Sequence, residues 1–244
     1  MEDIAPALYA KIEADYNAAV KSDKVIKTIA GNLNKRALTN SELTTISTRL
    51  GQHASDAFKK YLTADALLDG KMYWNIADRT IRPVMGQVYD LSNSLETMSL
   101  RLKDKANGIN IAVSKGVDPT QRIDEIIDYT LNSKTAEELA NALDLPVKTT
   151  ALDFNDDFMK ANMELRDALG FTQTITREYD GVGLANGRRP CNWCIGRAGT
   201  YYSYEEAKEA GAFERHTGCG CTIDWDSSDK VTNEEVNSTL QLPF

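Results

Sequence analysis

Cysteine, histidine and long apolar runs are scarce in this sequence. The 244 residues include four cysteines, two histidines and six prolines. No segment approaches the roughly 18 consecutive apolar residues of a membrane-spanning helix, so we expect no membrane partner. Residues 1–20 begin acidic and amphipathic and lack the basic-then-apolar layout of a signal peptide. We therefore expect the protein to be made and folded in a cytoplasm.

Excess positive charge is also lacking. The chain carries 28 Lys and Arg against 36 Asp and Glu, a formal net charge of −8. A protein that coats DNA needs an excess of cations to neutralise phosphates, so this class of protein is excluded. A local basic patch around Arg188, Arg189 and Arg197 leaves room for a DNA contact that does not dominate. The composition, 42% hydrophobic and 26% charged, is typical of a soluble globular protein.

Residues 1–170 have the patterns of a helical region. Thr39 and Glu42 have the spacing of a capping box, in which each side chain bonds the backbone N–H of the other residue. His53 lies beside the apolar face that follows, and we interpret it as an edge-of-core residue and not a ligand. The face itself recurs at helical spacing and comprises Leu43, Ile46, Leu50, Ala54, Ala57, Tyr61 and Leu62.

A second helix is predicted to begin at Pro83, because proline is favoured in the first turn of a helix. Its apolar residues follow one another by three or four positions and form a narrow stripe. They are Val84, Val88, Leu91, Leu95, Met98 and Leu102. Such a stripe packs against one partner helix, either inside the chain or on another subunit. The sequence leaves both alternatives open, so self-association through the helix from Val84 to Leu102 is one of them.

Two shorter helices are predicted next. Asp118-Pro119 has the character of a helix start. Thr135 and Glu138 repeat the capping-box spacing and open a short helix, which we expect Pro146 to end.

The last predicted helix of this region covers residues 151–169 and ends at Gly170. Asp153, Asp156 and Asp157 fall at its predicted start. Carboxylates there stabilise the positive end of the helix dipole. We therefore interpret them as helix-start charges and not as a carboxylate active site.

All four cysteines lie close together near the C-terminal end. Cys191 and Cys194 form a C-x2-C pair, Cys219 and Cys221 form a C-x-C pair, and His216 stands three residues before Cys219. Two close pairs of ligands on separate turns are what a tetrahedral Zn²⁺ site requires. Five candidates compete for four positions. In the preferred arrangement all four cysteines bind, and in the other His216 replaces one C-x-C sulfur.

Three other interpretations of the cysteine cluster stay open. Two disulfides would close the same loop in an extracellular protein. A redox C-x2-C pair normally begins the helix of a βαβ unit, which is not evident here. A catalytic cysteine–histidine pair needs only one of the four sulfurs. A closed four-ligand metal site has no open position for a substrate, so it favours scaffolding and predicts that the protein is not an enzyme.

The domain organisation follows from a change of pattern at Phe171. Residues 171–178 alternate with period two, which indicates a strand, and a glycine-rich segment follows that lacks the lysine and spacing of a phosphate-binding loop. We predict a mainly α protein. Residues 1–170 form its helical domain, residues 171–226 a small zinc-stabilised α+β module, and residues 227–244 a polar C-terminal tail.

The segment 174–225 resembles the C-terminal signature of minor head proteins of tailed bacteriophages. These are the head-morphogenesis, Mu F-like proteins, especially those of phages with Gram-positive hosts. The resemblance is carried by Cys191, Cys194, Gly199, Tyr201, His216, Cys219 and Cys221. It implies a low-copy virion protein, assembled in the host cytoplasm, at the portal vertex or in the capsid interior. Its implied partners are the portal protein, the major capsid protein or both, and its implied role is head assembly or DNA delivery.

Two other functions remain open at this point. One is an effector enzyme, ADP-ribosyltransferase-like or nuclease-like, that uses the cysteine–histidine corner. The other is a zinc module that binds nucleic acid.

Overall fold

Amphipathic helices make up most of the computed structural model, which describes residues 3–179 and 192–228. A three-stranded sheet lies near the C-terminal end of this part of the chain. In chain order the elements are α1 Ala5–Ser22, α2 Lys24–Gly31, α3 Asn40–Tyr61, α4 Trp74–Ala106, α5 Thr120–Leu131, α6 Ala136–Ala142, α7 Leu145–Ala168, β1 Thr172–Glu178, α8 Asn192–Ile195, β2 Gly199–Tyr201, α9 Tyr204–Glu209 and β3 Thr222–Ser228. The mainly α fold class is thereby confirmed.

The predicted capping residues begin their helices. Thr39 Oγ1 accepts a hydrogen bond from the Glu42 N–H at 3.2 Å, and the Glu42 carboxylate accepts one from the Thr39 N–H at 2.8 Å. Thr135 Oγ1 likewise accepts from the Glu138 N–H at 3.1 Å. The Glu138 carboxylate, however, accepts from the N–H of Lys134, one residue before the cap. Both caps satisfy N–H groups that a helix start otherwise leaves without a partner.

The predicted helix start at Pro83 is wrong. Pro83 lies inside α4, which begins at Trp74. A proline inside a helix costs about 3 kcal/mol because it has no N–H to donate. Ile81 and Val84 on either side of it are fully buried. The apolar contacts of this helix face outweigh the local cost, and the helix continues.

The predicted helix stop at Pro146 is also wrong. Pro146 occupies the first turn of α7, so this helix begins at Leu145 and not at residue 151. The first N–H groups of a helix have no partner within it, and proline is therefore tolerated there. The C-terminal end is as predicted, since Gly170 follows α7 with a φ of +79°.

Helices α3, α4 and α7 enclose the main hydrophobic cluster together with α1. The buried members of this cluster all come from residues 5–154. Gly51 of α3 lies against α7, where an added Cβ would come within 2.8 Å of Ala151 Cβ and 3.1 Å of Lys148 Cα. Helix α3 thus approaches α7 more closely than any residue larger than glycine would allow.

The apolar stripe of α4 is used largely inside the chain. Val84, Val88 and Leu95 are buried in the main cluster, and Leu91 packs against its edge. Met98 is 52% exposed. The buried residues of the stripe therefore pack against the core of the same chain.

The sheet has the order β2–β1–β3 and is antiparallel throughout. Ile175 of the central strand β1 stands opposite Trp225 of β3. Both side chains are buried in a second hydrophobic cluster with Leu100 of α4 and with Phe158 and Met163 of α7. The sheet therefore packs on the C-terminal halves of two long helices.

Several predictions fall outside the described ranges. They concern the glycine-rich segment 181–187, the basic residues Arg188 and Arg189, and residues 229–244 of the predicted tail. Strand β3 runs to Ser228 and so crosses the predicted module end at residue 226. Within residues 3–179 and 192–228, no helix combines the length and the apolar character needed to span a membrane.

Candidate metal centre

Three cysteine sulfurs converge in the C-terminal part of the structure. Cys194 lies in the short helix α8, while Cys219 and Cys221 precede β3. Their Sγ atoms all lie within 4.8 Å of one another, and the Cys194–Cys219 separation is 3.8 Å. The three residues are between 1% and 3% exposed. Cys191, the fourth predicted ligand, lies outside the described residues.

The turn that carries the C-x-C pair is held by hydrogen bonds. The Cys219 N–H donates to the His216 carbonyl at 2.9 Å, which closes the turn. Gly218 adopts a φ of +83°, a conformation that side chains with a Cβ rarely adopt. Its N–H donates to Thr149 Oγ1 of α7 at 2.8 Å. The position of the sulfurs is thereby tied to the helical core.

The sulfur separations fit a metal site better than a disulfide. A disulfide joins its sulfurs at about 2.05 Å. A tetrahedral metal with bonds of about 2.3 Å to sulfur holds two of them roughly 3.8 Å apart. The observed 3.8 Å between Cys194 and Cys219 has this second value. The group formed by Cys194, Cys219 and Cys221 can therefore hold a metal ion.

His216 lies beside this group with one nitrogen turned towards it. Its Nε2 is 3.1 Å from Cys194 Sγ, and its Nδ1 is 2.9 Å from the Thr217 carbonyl oxygen. A carbonyl only accepts hydrogen bonds, so Nδ1 carries a proton in this contact. The ring also packs edge-on against Trp193, with centroids 5.3 Å apart. His216 is not a member of the group whose ligand atoms all lie within 4.8 Å of one another.

Two buried arginines lie next to the sulfurs. Arg177 of β1 donates to Cys219 Sγ at 3.4 Å, and Arg215 lies 3.9 Å from the same sulfur. Arg215 also donates to the Cys221 carbonyl at 2.7 Å. Two positive charges in a dry site offset the negative charge that thiolates bring.

The thiols of the C-x-C pair have opposite pKa shifts. A hydrogen bond from Cys221, together with the charges of Arg215 and Arg177, lowers the pKa of Cys219 to about 4. The same hydrogen bond raises the pKa of Cys221. The pair therefore favours one thiolate, stabilised by the hydrogen bond between the two sulfurs and by the arginines, and thiolate is the form that binds metal ions.

The interpretation of the α7 carboxylates as helix-start charges is wrong. Asp153, Asp156 and Asp157 lie in the interior of α7 and are buried. Arg122 pairs with Asp157 at 2.6 Å and with Asp153 at 3.2 Å. Burial raises the pKa of Asp153 to about 7. These carboxylates serve as partners of arginines, because a buried charge needs a counter-charge.

The arginine partners were not predicted from the sequence. Arg215 pairs with Asp156, which stands 59 residues earlier in the chain, and no local pattern connects them. One signal was present, however. Carboxylates at positions 153, 156 and 157 share one face of a helix that also carries Phe154 and Phe158, and charges next to a core face indicate buried ion pairs.

His53 lies in a separate polar contact. Its Nε2 is 2.7 Å from Asp23 Oδ2, and Arg49 Nε reaches the same oxygen at 2.6 Å. Asp23 in turn caps α2 through the N–H groups of Val25 and Ile26. The interpretation of His53 as an edge-of-core residue agrees with this position, at 20% side-chain exposure.

Comparisons with known proteins add no relative: no protein-family model, no curated protein and no solved structure matches this chain.

Proposed function

We propose that Cys194, Cys219 and Cys221 bind one Zn²⁺ ion together with Cys191, in a closed structural site. The observation that carries this proposal is the convergence of three buried sulfurs within 4.8 Å of one another, with Cys194 and Cys219 at the 3.8 Å that a tetrahedral ion requires. Thiolate ligands are characteristic of zinc sites, and the two adjacent arginines suit a site with net negative charge.

Cys191 is proposed as the fourth ligand because of its C-x2-C spacing to Cys194. This spacing supplies two ligands from one turn, as in many structural zinc sites. His216 then lies outside the coordination sphere, where its imidazole contacts the Cys194 sulfur. Four protein ligands leave no position for a reactive water, so the proposed site supports folding and not catalysis.

The proposed biological role is that of a minor head protein of a tailed bacteriophage. The support for it is the resemblance of residues 174–225, together with an acidic surface that favours protein over nucleic-acid partners. The chain would be a low-copy virion component at the portal vertex or inner capsid surface, with the portal protein or the major capsid protein as its partner. It would act in head assembly or DNA delivery.

Quantitative proteomics of purified mature particles tests this role. The chain is expected at a small fraction of the copy number of the major capsid protein, and it should co-purify with the portal after the DNA is removed. Contacts between proteins are expected to survive salt concentrations that dissociate phosphate-bound proteins. Particles without the chain would contradict the proposal, and release together with the DNA at moderate salt would favour nucleic-acid binding.

An effector enzyme is the second candidate, because Cys194 Sγ and His216 Nε2 lie 3.1 Å apart. This is the distance of a nucleophile from its general base. Cys194 is only 3% exposed, which disfavours access by a substrate. Iodoacetamide labelling distinguishes the two functions. Rapid modification of Cys194 in the metal-loaded protein would favour the enzyme, and protection of all cysteines until a chelator is added would favour the zinc site.

A further inference from the structure

Arg177 of β1 is a charged residue on the buried face of the sheet. The side chains of Gln173, Ile175 and Arg177 are buried and alternate with exposed or half-buried ones along this strand. Arg177 is 1% exposed, and its neighbour Ile175 belongs to the second hydrophobic cluster. Arginine is almost never fully buried unless it is paired, so this position requires a counter-charge.

No carboxylate bonds Arg177 within residues 3–179 and 192–228. In these ranges its guanidinium donates to the Ala212 carbonyl at 2.6 Å, the Glu214 carbonyl at 2.7 Å and Cys219 Sγ at 3.4 Å. Asp156 interacts electrostatically with Arg177, but both of its oxygens already bond Arg215. Of the three acceptors that Arg177 contacts, only the sulfur can carry a negative charge.

The two arginines beside the sulfurs therefore differ in their charge balance. Arg215 lies 3.9 Å from Cys219 Sγ, and Asp156 balances its charge. Arg177 lies closer to the same sulfur and brings a positive charge that no described carboxylate bonds. A Zn²⁺ ion bound by four thiolates keeps a net negative charge. The charge of Arg177 thus matches that of the proposed zinc site, whereas Arg215 belongs to a closed pair.

Arg177 also contacts both of the segments that carry the sulfurs. The carbonyls of Ala212 and Glu214, which it bonds, lead into the turn before Cys219. Its guanidinium lies over the ring of Trp193, 5.5 Å from the ring centroid, and Trp193 precedes Cys194 in α8. One side chain on a rigid central strand can therefore fix where the two segments meet.

We propose that Arg177 is a positioning residue of the metal centre, whose guanidinium is the counter-charge and hydrogen-bond donor of the Cys219 sulfur. The inference rests on the proposed zinc site and adds to it the residue that orients one of its ligands. Groups that hydrogen-bond a metal ligand from outside hold it in its binding orientation, and their loss weakens metal binding by about 10–100-fold. Metal ion and guanidinium are then expected to stabilise each other.

Chelator competition for zinc tests this role in the full chain. In Arg177→Met we expect the zinc affinity to fall by about 10–100-fold. Arg177→Lys keeps the charge but loses the planar fork of donors, so its affinity should be intermediate. The matched control is Arg101→Met, at an exposed position of α4, which should bind zinc as tightly as the wild type.

The absorption spectrum of the Co²⁺-loaded protein distinguishes positioning from a general structural role. A hydrogen bond to a metal-bound sulfur lowers the energy of the sulfur lone pairs and so tunes the metal centre. Loss of this bond in Arg177→Met should shift the sulfur-to-cobalt charge-transfer band to lower energy, and Arg177→Lys should give a smaller shift. A substitution that only loosened the fold would weaken Co²⁺ binding and leave the band in place.

Unfolding by denaturant with and without metal gives an independent readout. Arg177→Met should lower the midpoint of the zinc-loaded protein more than that of the metal-free, reduced protein, because the metal-bound thiolates supply the counter-charge. Equal losses in both forms, wild-type zinc affinity or an unshifted band would each overturn the proposal. If Arg177→Met does not fold, the affinity and band of Arg177→Lys decide in the same way. A wild-type protein that takes up neither Zn²⁺ nor Co²⁺ would contradict the zinc site itself, and the role of Arg177 with it.

Discussion

Arg215 and Asp156 form a two-point ion pair in the interior of the protein. Arg215 Nε lies 2.5 Å from Asp156 Oδ2, and Nη2 lies 3.0 Å from Oδ1. The side chains are 0% and 1% exposed. Because Arg215 also donates to the Cys221 carbonyl, one guanidinium connects α7 to the segment that carries the sulfurs. Stability of the helices and geometry of the candidate metal centre are thus coupled.

Replacing Asp156 with Asn should strongly destabilise the protein. The substitution removes the only carboxylate that Arg215 bonds directly in the described residues, and breaking a buried ion pair in this way costs about 3–5 kcal/mol. Denaturant unfolding measures the change. The matched control is Asp15→Asn, which breaks an exposed pair with Lys60 and should cost less than about 1 kcal/mol. Equal losses in the free energy of unfolding for the two variants would show that the buried pair contributes no more to stability than the exposed pair.

The purified, unoxidised protein should contain one equivalent of zinc. Elemental analysis of the wild type and of single variants checks this prediction. Cys219→Ser and Cys191→Ser should each lose the metal, because three ligands bind it more weakly than four. His216→Ala should retain it if the histidine lies outside the coordination sphere. A metal-free protein with two intact disulfides by mass spectrometry would contradict the zinc proposal.

Loss of one sulfur ligand should unfold the metal centre locally. In Cys194→Ser, hydrogen exchange is expected to lose protection in residues 192–198 and 214–221, because the buried apolar residues of these two stretches are the cysteines themselves. Helices α1 to α7 should keep their protection. The pairing of β1 with β3 should also persist, since Ile175 and Trp225 pack on α4 and α7. Unchanged protection of these two stretches would show that the metal is not required for their structure.

Two glycines in helices should respond to alanine in opposite directions. In Gly51→Ala the new Cβ meets Ala151 Cβ at 2.8 Å, and overpacking of this kind costs about 1–3 kcal/mol. In Gly86→Ala of α4 the new Cβ has no neighbour within 4 Å. Removing a glycine from a helix interior then stabilises by up to about 1 kcal/mol. Thermal unfolding of the two variants measures both changes in stability. The comparison distinguishes the effect of helix propensity from the effect of the close approach of α3 to α7.

Glu96 should make stability depend on pH. Its pKa is raised from 4.5 to about 8 in the folded protein because burial disfavours the charged form. Between these values the folded state holds a proton that the unfolded state has lost, so stability falls as pH rises through this window. Glu96→Gln should remove a decrease in the free energy of unfolding of about 4 kcal/mol between pH 5 and pH 9. If Glu96→Gln and Glu125→Gln, the same change at an exposed position of α5, have the same pH profile, the raised pKa is incorrect.

Local chemistry explains which parts of the fold the sequence predicts. The caps at Thr39 and Thr135, the helix end at Gly170 and strand β1 depend on residues within a few positions of one another. Pro83 and Pro146 misled the prediction because proline fits the first turn of a helix and is disfavoured elsewhere. At Pro83 the burial of the apolar face of α4 outweighs the local cost of the proline. This burial depends on the packing of the whole core, so residues near Pro83 in the sequence do not reveal it.

The candidate metal centre, too, is only partly predictable from the sequence. The spacing of the cysteines predicts their convergence, because the ligands come in close pairs. The arginines that surround them come from β1 and from the segment before the C-x-C pair, and they meet carboxylates on a distant helix. Arg177, Arg215 and Asp156 are brought together by tertiary packing, so no spacing rule indicates them.

The origin of the main hydrophobic cluster has a consequence for biosynthesis. Every buried member of this cluster is contributed by residues 5–154, so the helical core can close while the last part of the chain is still on the ribosome. All four cysteines follow residue 154 in the chain, so they leave the ribosome after the residues of that core. They then meet a preformed surface on α7, with Thr149 and Asp156 already in place to receive Gly218 and Arg215. The order of synthesis thus provides a template for the metal centre before its ligands emerge.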